Sequence, residues 1–208
     1  KILDWTRQYF ADKGVENPRL DAEILLCAVL NCQRINLYVH FDQPLSPEEL
    51  KKYKDFVVRR ANHEPVAYIL GEKAFLHFVF KVSPAVLVPR PETELLVEKL
   101  VALNQGLETL HFLDIGSGSG AISISLLKLL PMSTAVAVDI SSAALVVAAE
   151  NALALDVGDR WRGIESNLYQ NVEAKEKFNF IVSNPPYISH EDLKMLDADV
   201  RKEPLAAL

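Results

Sequence analysis

The chain has 208 residues, enough for one large or two small domains with a sizeable core, and half of them are hydrophobic. The net charge is −6, and all of it falls after residue 80, because residues 1–80 carry 11 basic and 11 acidic side chains. That balance argues against a nucleic-acid backbone as the main ligand, since phosphate contacts want a basic stripe.

No apolar run approaches the ~20 residues of a membrane span, and no secretory signal is legible. No membrane association is therefore expected, and the compartment is read as cytoplasmic. The start at Lys1 implies a few leading residues outside the chain. Cys27 and Cys32 are too few for a disulfide framework or a metal cluster. Both are read as reduced core residues, and no metal site is expected.

Helical periodicity runs through residues 2–13, 19–32 and 47–62. In the second stretch Leu20, Ile24, Cys27 and Leu30 recur at three and four. In the third, Ser46 supplies an N-cap, Pro47 takes the first helical position, and Glu48 and Glu49 fill the first turn. This predicts a helical domain over 1–63. Its one basic run, Lys51, Lys52, Lys54, Arg59 and Arg60, is either a solvated helix face or a docking surface for an acidic or RNA-bearing partner. Residues 64–91 are rich in β-branched and aromatic side chains and predict a β-hairpin connector with its turn near Gly71.

From residue 92 helix and strand patterns alternate, which predicts a Rossmann-like α/β domain over 92–208. A mostly parallel sheet would carry helices on both faces and ligands at the carboxyl ends of its strands. Four strands are expected, ending near residues 113, 139, 166 and 183. "LDIGSGSGAIS" places Gly116, Gly118 and Gly120 between the first strand and the next helix, where glycines let a ligand approach the backbone. With Ala121 and Asp139 the loop also satisfies a dinucleotide fingerprint, so the glycines alone leave NAD open. Asp114, two residues before the loop, is expected at the mouth of the site. It would repel a pyrophosphate by about 4 kcal/mol for unit charges 4 Å apart at an effective dielectric near 20. S-adenosylmethionine brings a cationic amine and a sulfonium instead, and Asp139 can accept both of its ribose hydroxyls.

The stretch "FIVSNPPYIS" turns a buried-looking strand into a rigid turn made of hydrogen-bond acceptors. Pro185 and Pro186 fix φ and offer no backbone N–H. The Asn184 side-chain oxygen and the Pro185 carbonyl can accept both N–H bonds of a planar –NH2 group, while Tyr187 packs on its face. Planar nitrogens are poor nucleophiles, so fixing one against a methyl sulfonium is the chemistry such a turn would serve.

"NPPY" after "DIGSGSG" resembles the amino-methyltransferases, which include N6-adenine DNA enzymes and glutamine N5-methyltransferases. The flanks "PRLDAEILL", "EPVAYILGE", "VSPAVLVPRPETELLVE", "IVSNPPYI" and "EPLAAL" are similar to the peptide-chain release factor glutamine methyltransferases of the HemK/PrmC type, across nearly the whole chain. The resemblance implies transfer of a methyl group from S-adenosyl-L-methionine to the glutamine of the Gly-Gly-Gln loop in class 1 release factors. It implies a helical substrate-recognition domain and a monomer. Asn184, Pro185 and Tyr187 would then be catalytic, with Pro186, Arg90, Pro91 and Thr93 lining the substrate cleft. Asp114, Gly116, Ser117, Gly118, Ser119, Gly120, Asp139, Ile140, Asn167, Leu168 and Asn184 would hold the cofactor.

Two positions depart from that pattern. The family usually has an acidic residue and then a large aromatic after the third strand, where this chain has Asn167 and Leu168, so altered cofactor affinity is expected. Asn179 stands where Asp is common and is expected only to shape a turn. The fold implied has seven strands, so the C-terminal strands are expected to lie beyond Leu208. The rival readings are an N6-adenine DNA or RNA methyltransferase, which needs a basic groove, and a catalytically idle release-factor-binding module.

Overall fold

The computed structural model describes residues 1–104, 106, 109–188 and 192–208. The chain divides into two compact units, one of residues 1–70 with 197–202 and the other of 71–196 with 203–208.

The first unit is helical: α1 Ile2–Asp12, α2 Pro18–Leu30, α3 Asn36–Val39, α4 Pro47–Ala61 and α5 Val66–Leu70. α2 starts with Pro18 after its N-cap Asn17. It stops where Asn31 turns left-handed and the Cys32 N–H closes back on the Cys27 carbonyl at 3.1 Å. α4 opens on a capping box: the Ser46 hydroxyl accepts from the Glu49 N–H at 3.2 Å, and the Glu49 carboxylate accepts from the Ser46 N–H at 2.7 Å. Such a cap contributes about 1 kcal/mol. Phe10, Leu25, Leu26, Tyr53 and Val57 form the core between these helices. The Tyr53 hydroxyl donates to the Ala22 carbonyl at 3.1 Å, and burial pushes its pKa up to about 12.

Two expectations for this half change. Residues 66–70 form a helix, not a strand, because the Pro65 carbonyl accepts from the Tyr68 and Ile69 N–H groups and nucleates a turn. Short apolar runs do not separate strand from helix by composition. The hairpin is therefore β1 Glu72–Phe75 with β2 Phe78–Lys81, turning at Leu76 and His77 and not near Gly71. The basic run also splits. Arg60 is buried and donates to Asp21 at 2.6 Å and to Asp199 at 2.5 Å. Arg59 pairs with Glu64 at 2.6 Å. Only the three lysines remain as an exposed basic face.

The second unit carries a four-stranded, wholly parallel sheet of order β5-β4-β3-β6. The strands are β3 His111–Ile115, β4 Thr134–Asp139, β5 Trp161–Glu165 and β6 Phe180–Ser183. Helices α6 Pro91–Leu103, α7 Ala121–Leu129 and α8 Ser142–Ala154 belong to the same unit. Phe112 stacks on Phe180 at 4.9 Å across neighbouring strands, and Phe112, Ile124, Leu126 and Leu127 are fully buried. Each contributes about 1.5–3 kcal/mol of burial. The chain runs outward from β3 through β4 to β5, then returns to the other side of β3 with β6. The crevice at the carboxyl ends of β3 and β6 is thus the topological switch point, where open α/β sheets bind ligands.

Candidate active site

Register brings the two sequence motifs together. Ile115 of β3 is paired with Ser183 of β6, and the Ser183 hydroxyl donates to the Ile115 carbonyl at 2.7 Å. The glycine loop leaves from the residue after Ile115 and the acceptor turn from the residue after Ser183. Gly116, Gly118, Asn184, Pro185 and Pro186 all line one cleft of ≈ 360 Å³.

The loop is fixed by its own backbone. Gly116 and Ser117 donate to the Val138 carbonyl at 2.9 and 3.0 Å, and Gly118 donates to Asp139 Oδ2 at 2.8 Å. Gly118 sits at φ +55, and Gly120 at φ +79, where a Cβ would meet Ile124 Cδ1 at 2.5 Å. Gly120 therefore serves helix packing and does not line the cleft. Asp139 also accepts from the Ser141 N–H at 2.9 Å through Oδ1. Each carboxylate oxygen is already engaged once, leaving one further lone pair apiece for ribose hydroxyls.

Asp114 is not at the mouth of the site. It is 0% exposed, beneath the loop, and not among the residues lining the cleft. Burial raises its pKa to about 6, opposed by the Ser123 hydroxyl and N–H and by the Ser117 hydroxyl. None of these reaches hydrogen-bonding geometry, so both carboxylate oxygens lack a partner among the described residues. Strand alternation explains the placement, since Asp114 is flanked by Ala137 and Val182 in the middle of the sheet.

Of the other cofactor candidates, Ser119, Ile140, Asn167 and Leu168 line the cleft, whereas Ser117 does not. Leu168 holds a left-handed φ of 54 and is 57% exposed. Such strain costs of order 1–3 kcal/mol and clusters at ligand clamps. Asn171 secures this loop, its N–H donating to Ser166 Oγ at 3.0 Å and its side chain to the Glu165 carbonyl at 2.8 Å.

At the acceptor end, Arg90 and Thr93 line the cleft, while Pro91 is exposed at the first position of α6. The Asn184 amide nitrogen donates to the Thr93 hydroxyl at 3.4 Å, which leaves the amide oxygen as the acceptor. Tyr187 departs from expectation: its ring is 81% exposed and does not line the cleft. Its backbone explains this in part, because the Tyr187 and Ile188 N–H groups are tied to the Leu208 carbonyl oxygen at 3.2 and 2.9 Å. Sequence reasoning missed Glu203, whose buried carboxylate accepts from the Val88 N–H at 2.9 Å and from Arg90 at 2.7 Å. It also missed the walls around it, where Val86, Leu87, Pro89, Pro204 and Ala206 line the cleft. "EPLAAL" was the available signal, but an acid after Arg201 and Lys202 reads as a surface charge.

The arrangement fits S-adenosylmethionine. The cleft has a glycine face a ligand can approach and an acid with free lone pairs at the end of β4, and the unpaired Asp114 carboxylate, though outside the cleft, adds negative charge that favours a cationic ligand. A parallel switch-point sheet with that loop and an acceptor turn at the adjacent strand defines a class I S-adenosylmethionine-dependent methyltransferase. The family model for the PrmC N-terminal domain matches residues 1–71, and that for the Methyltransferase small domain matches residues 91–201. The chain is 47% identical to the release factor glutamine methyltransferase of Geobacter sulfurreducens, covering all of this chain and 72% of that protein. It is 42% identical to that of Rhodopirellula baltica, over 100% and 72% of the two lengths. The chain belongs to the release factor glutamine methyltransferase family. Among solved structures, methyltransferases from Geobacter sulfurreducens and Thiobacillus denitrificans, each in complex with S-adenosyl-L-homocysteine, are 22% identical to this chain. Each aligns with 45% of this chain and 36% of its own length, at a TM-score of 0.38. Among the described residues no helix is long and apolar enough to cross a membrane.

Proposed function

We propose that the protein transfers the methyl group of S-adenosyl-L-methionine to the side-chain amide nitrogen (N5) of the glutamine in the Gly-Gly-Gln loop of class 1 peptide chain release factors. The observation that carries this reading is the pairing of Ile115 with Ser183, which brings glycine loop and acceptor turn into one cleft. S-adenosylmethionine supplies an electrophilic methyl on a cationic sulfur. Gly116, Gly118, Ser119, Asp139, Ile140, Asn167 and Leu168 would hold it, with the Asp114 carboxylate compensating its positive charge from below.

The chain's own part in the reaction is positioning. An amide nitrogen is a weak nucleophile because its lone pair is delocalised. The Asn184 side-chain oxygen and the Pro185 carbonyl accept the two N–H bonds of the substrate amide, which orients its nitrogen and favours the localised lone pair. Orientation of this kind contributes several kcal/mol. Pro185 and Pro186 add no N–H to compete with the substrate's donors. Tyr187 is exposed beside the turn, and packing on the substrate amide would require its ring to turn towards the cleft. The displaced amide proton leaves to water.

The helical unit is assigned to release factor recognition, and the protein is read as a monomer acting in the cytoplasm, where termination occurs. An adenine-N6 activity is disfavoured by the acidic catalytic half, which offers no phosphate-binding stripe. Incubation with labelled S-adenosylmethionine, an intact class 1 release factor and double-stranded DNA tests the assignment. Label in the glutamine of the release factor is expected. Label in DNA, or in neither, would overturn it.

A further inference from the structure

Three segments remote in sequence meet at the acceptor turn, and one buried carboxylate joins two of them. Arg90 is the N-cap of α6 but makes no side-chain capping bond. Its guanidinium donates to Glu203 Oε1 at 2.7 Å, across 113 positions of sequence. Glu203 Oε2 accepts from the Val88 N–H at 2.9 Å. The Glu203 side chain is 2% exposed, and a buried carboxylate persists only when its oxygens are paired. Both partners belong to the stretch just before α6, which lines the cleft through Val86, Leu87 and Pro89.

The turn is held from two sides. Asn184 donates to Thr93, the third residue of α6, and the Tyr187 and Ile188 N–H groups donate to Leu208. α6 and the segment ending at Leu208 are themselves joined by the Arg90–Glu203 pair. The contacts close a ring: Asn184 to Thr93, along α6 to Arg90, across to Glu203, along the chain to Leu208, and back to Tyr187. The Thr93 contact at 3.4 Å is long, so it cannot fix the turn alone. Its geometry depends on how firmly the two holders are fixed to each other.

We propose that Glu203 is a positioning residue for methyl transfer, holding through Arg90 and Val88 the two flanks of the Asn184 turn so that the substrate amide is presented in line with the methyl donor. It touches neither substrate nor cofactor, and its role rests on the reading of that turn as the amide site.

The test is single-turnover methylation of an intact class 1 release factor at saturating labelled S-adenosylmethionine, with cofactor affinity measured by calorimetry. Wild type, Glu203→Gln, Arg90→Met and the double variant are compared. Glu203→Gln keeps the shape and one acceptor and removes the charge. Its transfer rate should fall at least about tenfold while cofactor affinity stays within about threefold, as expected for lost orientation. The double variant should lie within about threefold of the slower single variant, because the two side chains act as one pair. A smaller rate loss overturns the role, as do losses that multiply in the double variant. Cofactor affinity weakened beyond that limit also overturns it, because the carboxylate would then be holding the cofactor site. A wild-type protein that labels no release factor refutes the proposed function, and this role falls with it. An active wild type with unaffected variants refutes the positioning role alone.

Discussion

The helical unit pairs its buried acids, whereas the methyltransferase unit pairs Glu203 but leaves Asp114 without a partner among the described residues. In the helical unit Asp21 and Asp199 share the buried Arg60. Glu23, 3% exposed, accepts from Arg19, Arg34 and the Tyr38 hydroxyl. Burial works to raise its pKa, but the Tyr38, Arg34 and Arg19 hydrogen bonds hold it at about 2. In the methyltransferase unit Asp114 is more deeply buried than any of these three, with no hydrogen-bond partner among the described residues and a pKa raised to about 6. A buried acid paired at both oxygens is a fixed part of the fold. One left unpaired is tolerated only at a cost, which makes it a candidate for function.

The largest effect should come from the paired side. Arg60→Met leaves two carboxylates facing an apolar side chain and should lower stability by about 3–5 kcal/mol, read from denaturant unfolding. Asp114→Asn removes an unpaired buried charge and should raise stability at pH 7, by up to roughly 3 kcal/mol. Equal losses from both would break the contrast, because Asp114 would then be structural too.

Next in size is the acceptor turn, which lacks any charge. Asn184→Ala should slow transfer about a hundredfold or more, on the scale of one oriented hydrogen bond at a reacting centre. Cofactor affinity should stay within a few-fold. Retention of most of the turnover would mean that the Pro185 carbonyl and the cofactor suffice, and that the turn acts only through its shape.

Both motifs of the site were legible in the sequence because each is local. A glycine loop between strand and helix and an Asn-Pro-Pro turn are each recognisable within a few residues, and both line the cleft. Asp139 was legible for the same reason, through its distance from the loop, although its engagement with the Gly118 and Ser141 N–H groups was not. Asp114 was misplaced because sequence spacing gives distance along a strand and not depth in the sheet. Arg59 and Arg60 looked like one surface run, yet helix periodicity turns Arg60 inward to acids 39 and 139 positions away. Glu203 had no local signature, since its partners lie more than 110 positions earlier. The short helix Val66–Leu70 was read as strand because β-branched content is shared by both states at that length.

Titration of Asp114 gives a smaller, directional test. A carboxyl whose folded pKa lies above its unfolded value contributes stability below about pH 4 that is lost as pH rises through about 6. The shift from 3.8 to about 6 corresponds to roughly 3 kcal/mol, an order-of-magnitude figure. Cation binding reverses the preference, because only the ionised form attracts it. S-adenosylmethionine affinity should therefore rise about tenfold between pH 5 and pH 7 and then level off. In Asp114→Asn that step should vanish while weak binding remains. A pH-independent affinity in the wild type would leave the orphan carboxylate without a part in binding the cofactor.

The smallest effect tests where the rule about unpaired charge stops. Lys51, Lys52 and Lys54 are exposed on α4, and none has an ion pair among the described residues. Lys52 lies over the Phe56 ring at 5.6 Å. Water solvates an exposed ammonium, so lack of a partner is no burden there and says little by itself. What remains is long-range attraction, which affects encounter more than chemistry and is screened within about 8 Å at physiological salt. Reversing all three lysines to Glu should raise KM for an intact release factor about fivefold at low salt, with kcat unchanged. The effect should shrink on adding salt and be absent for a short glutamine peptide, which offers no distant charged surface. Equal KM changes for factor and peptide would place the lysines' influence at the cleft. No change for either would make them a solvated face, and unpaired charge would then be informative in this protein only where it is buried.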